Sequence, residues 1–462
     1  MSKQKVRFVE PMGAPSNVFA KFMNIPLLGP VFLATTAKKE GFDVQIYNEN
    51  ILKRKISPAE LLETDILCLS CITATVDRGK EIAFQYKQIR KQHHLHSRVI
   101  FGGIHASMLP SDFGPDIDQI VCGEADSIFI NILNNNIKNP VIQGKPLEDL
   151  DSIPIPDFSL VKNSHAINIW PVMTSRGCPY HCNFCSVTKM FGRNYRTQSI
   201  ERVLDEIMQY KKGWIFFVDD NFTAHTSRSH SLFDKMISYN FSIPWTAQVR
   251  VDTAKDISLV RKMYKAGCRI VFIGFESINP SSLQTMHKSQ NLQDIHKAIS
   301  IFKKEGIQVH GMFMLGNDPD TNEIFNATSD FCRKNKLSYV QYSVLTPLPG
   351  TEVFDSFEKS DRLIHKNWSL YDGLHVVFHP KQMSAIELQN GMISCFKSFY
   401  SYSNAIKDSF LTSLNVFLKQ KHNYPLFRQN YYPVLMKIVG KSILHNWMKN
   451  NLAYLSFLKN LK

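Results

Sequence analysis

The sequence predicts an α/β fold with two successive parallel sheets and a mainly helical C-terminal region. Short apolar runs alternate with helical patterns as far as about residue 360 of the 462-residue chain, as in parallel sheets whose strands are joined by helices. Glycine or polar turn residues follow several predicted strands, at the edge where open α/β sheets bind ligands. Beyond Asp361 the strand signals fade and helical patterns remain.

Residues 1–145 are predicted to form a Rossmann-like domain, and residues 146–165 a linker. The linker segment is rich in proline and acidic residues and shows neither a helical nor a strand period. The predicted strands of the domain are Val6–Glu10, Val44–Tyr47, Ile66–Ser70, Arg98–Phe101 and Gln119–Cys122, and its predicted helices are Leu28–Lys39 and Val76–Lys91.

Residues 166–360 are predicted to form a partial (β/α)6 barrel, because six strand patterns are too few for an eight-fold barrel. Ser199–Lys212 is a clear amphipathic helix with Ser199 as its N-cap. Residues 361–462 are predicted to be mostly helical. The predicted barrel strands are Ala166–Thr174, Trp214–Val218, Thr246–Val249, Ile270–Phe275, Val309–Leu315 and Tyr339–Leu345.

The composition is that of a folded globular protein, with 44% apolar and 20% charged residues. The sequence has no uncharged apolar run of the roughly 18 residues that a membrane span needs. The first residues run directly into a strand pattern rather than into the apolar core of a signal peptide. We therefore expect a cytoplasmic location.

The net charge of +14 is concentrated near the C-terminus. Residues 401–462 contain eight lysines and one arginine against one aspartate, so more than half of the excess lies there. A basic segment of this kind is compatible with contact to anionic lipid or nucleic acid, and equally with a solvated helical face.

Three of the nine cysteines, Cys178, Cys182 and Cys185, are clustered directly after a predicted barrel strand. The other six lie in apolar stretches, where a cysteine behaves as a small buried hydrophobe. Three thiolates suit a four-iron, four-sulfur (4Fe-4S) cluster with one open iron. Zinc is the lesser alternative, since a structural zinc site generally takes four protein ligands and His181 is awkwardly placed beside Cys182.

The Cys-x3-Cys-x2-Cys spacing, with Phe184 before the third cysteine, resembles the signature of the radical S-adenosylmethionine (SAM) superfamily. The resemblance implies that the open iron binds SAM. It also implies that an electron from the cluster cleaves SAM to a 5′-deoxyadenosyl radical, which abstracts hydrogen from the substrate. Phe184 is then expected beside SAM.

Three later strand ends agree with the resemblance and supply candidate SAM-binding residues. Asp219, Asp220 and Asn221 follow the second barrel strand, where the family places a turn near the amino group of SAM; these residues also favour an ordinary turn. Gln248 and Arg250 close the third strand, either near the SAM carboxylate or as a surface pair. Glu276 closes the fourth strand, where family members contact the ribose.

Strand ends of the first domain resemble those of the cobalamin-binding domain that often precedes this barrel. Small residues there let a backbone approach a flat corrinoid. The Asp-x-His-x-x-Gly motif for a lower histidine ligand is absent, and we interpret His105 as a hydrogen-bonding wall residue rather than a ligand. A cofactor-free domain is the alternative. The candidate cobalamin-binding residues are Ser70, Thr73, Gly102, Gly103, His105, Gly123 and Glu124.

The leading functional hypothesis is a cobalamin-dependent radical SAM C-methyltransferase. The alternative enzyme is a radical oxidoreductase or cyclase of the anaerobic magnesium-protoporphyrin monomethyl ester cyclase type. A redox-sensing or nucleic-acid-binding iron–sulfur protein is the non-enzymatic alternative. We expect a small-molecule or lipid-like substrate, a reductant such as flavodoxin or ferredoxin, and peripheral membrane contact through the basic C-terminal region; we do not expect a nucleic-acid partner.

Overall fold

The computed structural model describes residues 3–17, 24–401 and 426–461, with only the backbone described for residues 426–436. Two six-stranded sheets follow one another along the chain, and every strand pair in both is parallel. Helices dominate after residue 384. The predicted fold class is confirmed.

The first sheet has the strand order β2-β1-β3-β4-β5-β6. The sixth strand was not predicted, because its three residues are too short to show a period. The strands are β1 (Lys5–Glu10), β2 (Asp43–Asn48), β3 (Ile66–Ser70), β4 (Arg98–Gly102), β5 (Gln119–Cys122) and β6 (Val141–Gln143). The helices are α1 (Leu28–Lys39), α2 (Glu49–Leu52), α3 (Pro58–Leu62), α4 (Val76–Gln92), α5 (Ile104–Met108) and α6 (Phe129–Leu133).

Each face of the first sheet has its own apolar core. One core includes Phe158 and Val161, and Lys162 donates a backbone hydrogen bond to Ile46 of β2, so much of the segment predicted as a linker packs against the first domain. The other core includes Trp368 and Tyr371, which come from beyond the second sheet. Residues outside 1–145 therefore complete the first domain.

The second sheet has the order β14-β13-β12-β11-β10-β7, and β8 and β9 form a separate antiparallel pair. The strands are β7 (Ile169–Val172), β8 (Ser175–Arg176), β9 (Arg196–Thr197), β10 (Trp214–Phe217), β11 (Trp245–Val249), β12 (Cys268–Glu276), β13 (Gln308–Leu315) and β14 (Tyr339–Val344). The helices are α7 (Val187–Phe191), α8 (Ile200–Ile207), α9 (Thr226–Ser238), α10 (Ile257–Lys265), α11 (Pro280–Thr285), α12 (Leu292–Lys304), α13 (Glu323–Lys334) and α14 (Glu352–Lys359).

Alternation along these strands gives the second sheet a filled face and an open face. Ile215 and Phe217 of β10 are fully buried in the core shared with the helices. Phe216 lies between them on the opposite face, where it contacts Phe272 of β12 and remains partly accessible. The open face is thus the concave interior of the partial barrel.

Within the described residues of the C-terminal region the chain forms three helices: α15 (Ala385–Phe399), α16 (Leu426–Asn450) and α17 (Leu452–Asn460). Asn451, between the last two, accepts a hydrogen bond from buried His375 (2.8 Å) and donates one to the carbonyl of Ser16 (3.0 Å). It therefore links the C-terminal helices to the first domain and to the segment that follows the second sheet. Helices of the length and apolar character needed to cross a bilayer are absent from the described ranges. Part of the predicted basic segment, residues 402–425 and 462, lies outside them.

Candidate functional site

The three clustered cysteines lie in the loop that leads from β8 to α7, at the carboxyl end of β7. Gly177 begins this loop with φ +90°, and a Cβ at this position would stand 2.4 Å from the carbonyl oxygen of Asn194. Only glycine fits such a close approach in this conformation. The residue before the first cysteine therefore determines the path by which the chain enters the loop.

The thiols of this loop differ from the other six in their exposure. Cys178, Cys182 and Cys185 are partly exposed, whereas the rest are buried. Burial by the surrounding loop nevertheless raises the pKa of Cys178, and raises that of Cys185 to about 12. Thiolates in such a place are stabilised when they coordinate a metal, because coordination deprotonates the thiol.

The spacing of these thiols fits a cluster better than a single ion. Their sulfur atoms do not form a group within 4.8 Å of one another. Four ligands around one zinc ion with Zn–S bonds of about 2.3 Å would lie closer together than that. Three ligands that each bind a different iron of a cluster have no such requirement, so the donor set and its spacing fit a 4Fe-4S cluster.

Asp219 anchors the strand ends beneath the loop. Its buried carboxylate accepts hydrogen bonds from the backbone N–H (3.1 Å) and hydroxyl (2.9 Å) of Thr174, and from the hydroxyl of Ser175. Burial raises the pKa of Asp219 above its usual value, although these hydrogen bonds oppose that effect. With these partners inside the protein, Asp219 positions the start of the cysteine loop rather than facing a ligand.

Asp220 and Asn221 point to different surroundings. Asp220 is accessible and lines a cavity between the two sheets, where the enclosing protein, helped by the charge of Asp219, raises the pKa of its carboxyl to about 7. Asn221 is buried; its carbonyl accepts a hydrogen bond from Tyr195 (3.1 Å), and its side-chain oxygen has no hydrogen-bond partner. Of the three, only Asp220 faces the cavity.

Arg250 stacks on the cysteine loop. Its guanidinium lies 3.6 Å from the ring centroid of Tyr180, whose hydroxyl donates to Asp252. Arg250 also donates to the carbonyl of Ser289 (3.3 Å), and its buried Nε makes no hydrogen bond but lies 3.8 Å from a carboxylate oxygen of Asp252. Gln248 is on the concave face one position before the end of β11, partly exposed.

Glu276 and Phe184 meet at a lysine that the sequence did not single out. Glu276 ends β12 with φ +60° and accepts a hydrogen bond from Lys288 Nζ (2.7 Å), which lies 6.0 Å from the ring centroid of Phe184. The fourth strand end is thereby joined to the cysteine loop. No local pattern marks Lys288, which lies in a short irregular connection between α11 and α12.

A cavity of about 310 Å³ lies between the two sheets, and both domains line it. Its walls are predominantly apolar and include residues of α1 and α7. Five of the seven predicted cobalamin-binding residues line it, together with Asp220. From the first domain these are Ser70, Gly102, Gly103, Gly123 and Glu124, and from the second domain the polar lining residues are Ser175, Arg176 and Asp220.

The first-domain wall has the shape that a flat cofactor needs. A Cβ at Gly29 would meet no atom within 4 Å, and one at Gly102 would meet only the carbonyl of Val121 at 3.8 Å, so both glycines border open space. Gly103 has φ +96° and packs against the backbone of Cys71, where a side chain would clash at 2.5 Å. Among the described residues that line this cavity there is no histidine. The wall thus fits a corrinoid that has no histidine from it as lower ligand.

The structure does not bring His105 or Thr73 to the cavity. His105 is fully buried, 3.3 Å from Thr73 Oγ1 and 3.0 Å from Asp112, and its ring packs edge-on against Trp368. Burial lowers the pKa of His105. It connects the first domain to the segment after the barrel, so its hydrogen bonding is structural and lies away from the cavity.

Glu124 lines the cavity, but it also joins the two domains. Its buried carboxylate forms ion pairs of 2.5 Å with Arg176 and with Arg196, and Arg176 also pairs with Asp126. The guanidinium groups belong to β8 and β9, on either side of the cysteine loop. Neither arginine was predicted, although Arg176 stands only two residues before the first cysteine.

The fold and site therefore define an iron–sulfur protein whose cysteine loop is flanked by β8 and α7, and both of these elements line a cavity shared with a Rossmann-like domain. Residues 172–332 match the Radical SAM superfamily, and residues 23–133 match the B12 binding domain. The chain belongs to the radical SAM proteins that carry a cobalamin-binding domain. Its cofactors are accordingly a 4Fe-4S cluster, SAM and cobalamin, as the resemblance implied.

Similar proteins span nearly the same length. The bacteriochlorophyllide d C-12(1)-methyltransferase of Chlorobaculum tepidum is 29% identical over 88% of this chain and 89% of its own. The anaerobic magnesium-protoporphyrin IX monomethyl ester cyclase of Rubrivivax gelatinosus is 26% identical over 82% of this chain and 74% of its own. The radical SAM methyltransferase TsrM of Kitasatospora setae was solved with cobalamin and a 4Fe-4S cluster and has the same fold, with a TM-score of 0.64 and 14% sequence identity. The match covers 97% of this chain and 100% of the TsrM chain.

Proposed function

We propose that this protein is a cobalamin-dependent radical SAM C-methyltransferase acting on a small molecule. The observation that supports this most directly is the shared cavity, which is lined by the glycine-rich strand ends of the first domain and by Asp220 beside the cysteine loop. A radical-generating centre and a methyl donor must both reach one substrate carbon, and one cavity between the domains meets that requirement.

Cys178, Cys182 and Cys185 would hold the cluster, and Ser70, Gly102, Gly103 and Gly123 would border the corrinoid. When bound, the cluster with SAM supplies a radical that removes hydrogen from the substrate, and cobalamin supplies the methyl group. The protein orients these groups and excludes water.

The neighbouring side chains support distinct roles in holding SAM. We propose that Asp220 accepts a hydrogen bond from the SAM amino group, and that Lys288 and Glu276 bind its polar groups beside Phe184. Arg250 would neutralise charge near the cluster while Tyr180 keeps it in place. Asp219 and Asn221 would not contact SAM; they would hold the strand ends in position.

The concave face of the second sheet supports a substrate of low polarity. Phe216, Phe272 and Met312 are partly exposed there. His310 lies 4.5 Å from Phe272, and burial lowers its pKa to about 4, so it is neutral near pH 7. Its Nε2 has no protein partner. An apolar surface with a few uncharged polar groups, among them His310 and Gln248, suits a largely hydrophobic molecule with few hydrogen-bonding groups.

Other properties follow from the chemistry of the site. We propose a one-electron reductant such as flavodoxin or ferredoxin and a reducing, cytoplasmic location, which is supported by nine unpaired cysteines. We also propose peripheral membrane contact at the last helix, where Leu452 and Phe457 are exposed near Lys449 and Lys459.

The test is anaerobic purification with cobalamin supplied, followed by a visible spectrum and incubation with reductant and SAM deuterated at its methyl group. A methyltransferase uses one SAM for the radical and a second as methyl source. We expect corrinoid bands, 5′-deoxyadenosine and S-adenosylhomocysteine, and a deuterated methyl group in the product of a substrate screen. Cluster bands without corrinoid bands would exclude cobalamin-dependent methyl transfer.

The similarity to the Rubrivivax gelatinosus cyclase supports a second candidate, a radical oxidoreductase or cyclase. In that case the same incubation should yield 5′-deoxyadenosine without S-adenosylhomocysteine, and the product should contain no deuterated methyl group. The two functions are therefore distinguished by one set of products.

A further inference from the structure

Three side chains on the rim of the cysteine loop converge in a way that the radical chemistry does not use. His181, His287 and Glu352 each present one donor atom, and these atoms all lie within 4.8 Å of one another. His181 Nε2 is 3.2 Å from a carboxylate oxygen of Glu352, and the rings of the two histidines are nearly parallel with centroids 6.2 Å apart. We propose that these residues form a binding site for a divalent transition-metal ion, foremost zinc.

The donor set matches that chemistry. Two imidazoles and one carboxylate are a common protein ligand set for zinc, with water in the remaining position. Donors around a tetrahedral zinc ion lie roughly 3.3 Å apart at bonds of about 2.0–2.1 Å. The separation of His181 and Glu352 already has this value. The side chains of both are nearly half exposed, so an ion can enter from solvent and His287 can complete the site by a side-chain movement.

The backbone beneath the three ligands is already organised by one residue. Asn183 donates to the carbonyl of Thr285 through its side chain (2.8 Å) and to that of Met286 through its backbone N–H (3.4 Å). The carbonyl of Asn183 accepts from the N–H of Val353 (3.4 Å). Each ligand is one or two residues from one of these contacts. The hydrogen bonds thus hold in register the three segments that supply the ligands, which lowers the ordering cost of binding an ion.

The site differs from the cluster in ligands and position. Its donors are imidazole and carboxylate rather than thiolate, and two of them come from segments outside the cysteine loop. Because His181 precedes Cys182, an ion bound here connects the cysteine loop to the turn after α11 and to the start of α14. Its role is to stabilise the position of the cysteine loop.

The test uses the reconstituted holoenzyme, so that the cluster cysteines are occupied, and measures zinc and iron per chain after equilibrium with a weak chelator. We expect one zinc in addition to the cluster iron. His287→Ala and Glu352→Gln should weaken zinc binding at least about tenfold without loss of iron. His94→Ala is the matched control, because His94 is exposed and has nearly the same φ, +54° against +53°.

The zinc-edge X-ray absorption spectrum of the same sample identifies the ligands. We expect a nitrogen and oxygen shell at about 2.0–2.1 Å with imidazole scattering. A sulfur shell at about 2.3 Å would place the zinc on cluster cysteines and overturn the proposal. Zinc that persists in both variants, zinc lost in the His94 control, or no bound zinc at all would overturn it as well.

Discussion

In both parallel sheets the functional residues lie at the carboxyl ends of the strands, but the residue types at these two edges differ. At the carboxyl ends of the first sheet, Ser70, Gly102 and Gly123 line an apolar cavity, and Gly102 borders open space there. At the carboxyl ends of the second sheet, thiols, carboxylates and cationic side chains lie in or next to the cysteine loop. The topology locates a ligand site in both, and the residue types after each strand decide which ligand fits.

The difference also extends to how each edge is stabilised. Backbone packing shapes the first edge, as where Gly103 lies against Cys71. Hydrogen bonds and ion pairs shape the second edge, as where Asp219 holds Thr174. A side chain added to the first edge should therefore block a ligand, whereas a side chain removed from the second edge should release one.

The largest expected effect is at the second edge. Cys182→Ala should abolish the cluster and SAM cleavage, because two thiolates cannot hold three irons of the cluster. Iron content, visible absorption and 5′-deoxyadenosine formation measure this. Cys395→Ala is the control, since Cys395 is buried away from the loop and should leave iron content unchanged. Equal iron loss in both variants would contradict the assignment of the ligands.

The next effect is at the contact between the two edges. Glu124→Ala should lower the free energy of unfolding by about 3 kcal/mol, because it leaves the buried Arg176 and Arg196 without a common partner. Urea unfolding measures the change. Glu201→Ala removes an exposed ion pair with Lys235 and should change stability very little. A similar small change in Glu124→Ala would show that the domains do not depend on this pair.

A smaller effect concerns pH and the buried acid that ends β1. Burial raises the pKa of Glu10 to about 7, so between about pH 4.5 and 7 the folded protein binds a proton that the unfolded chain has released. The stabilising contribution of Glu10 therefore falls as pH rises through this window, by about 2.5 kcal/mol between pH 5 and 8. Glu10→Gln should flatten this part of the stability curve. Glu63→Gln, at an exposed position, should follow the wild-type curve.

The smallest expected effect is at the first edge, where a substitution should affect the cobalamin site and leave the iron–sulfur site unchanged. Gly102→Leu should fill part of the cavity and reduce corrinoid binding about tenfold, while the iron content stays at the wild-type value. Corrinoid absorption after reconstitution measures the change. Gly114→Leu is the matched control, since a Cβ there meets no atom within 4 Å and Gly114 lies outside the cavity. Unchanged corrinoid binding in Gly102→Leu would remove the first edge from the cobalamin site.

The sequence by itself determined both sheets and the partial barrel, and it singled out the three clustered cysteines as the predicted cluster ligands. These features depend on local periodicity and on short spacing, which a single chain displays directly. The cofactors followed from the resemblance carried by the cysteine spacing and the strand-end motifs. The site residues in the two domains remain predictions, although most of them do lie at the shared cavity or the cysteine loop.

Only the tertiary structure decided what each polar strand-end residue contacts. Glu124 pairs with Arg176 and Arg196, which are 52 and 72 residues away, and Asp219 bonds Thr174 across 45 residues. His105 turns away from the cavity toward Asp112, and Lys288 reaches Glu276 from a loop with no pattern of its own. Such partners depend on how the two domains pack together, and no local period records that packing.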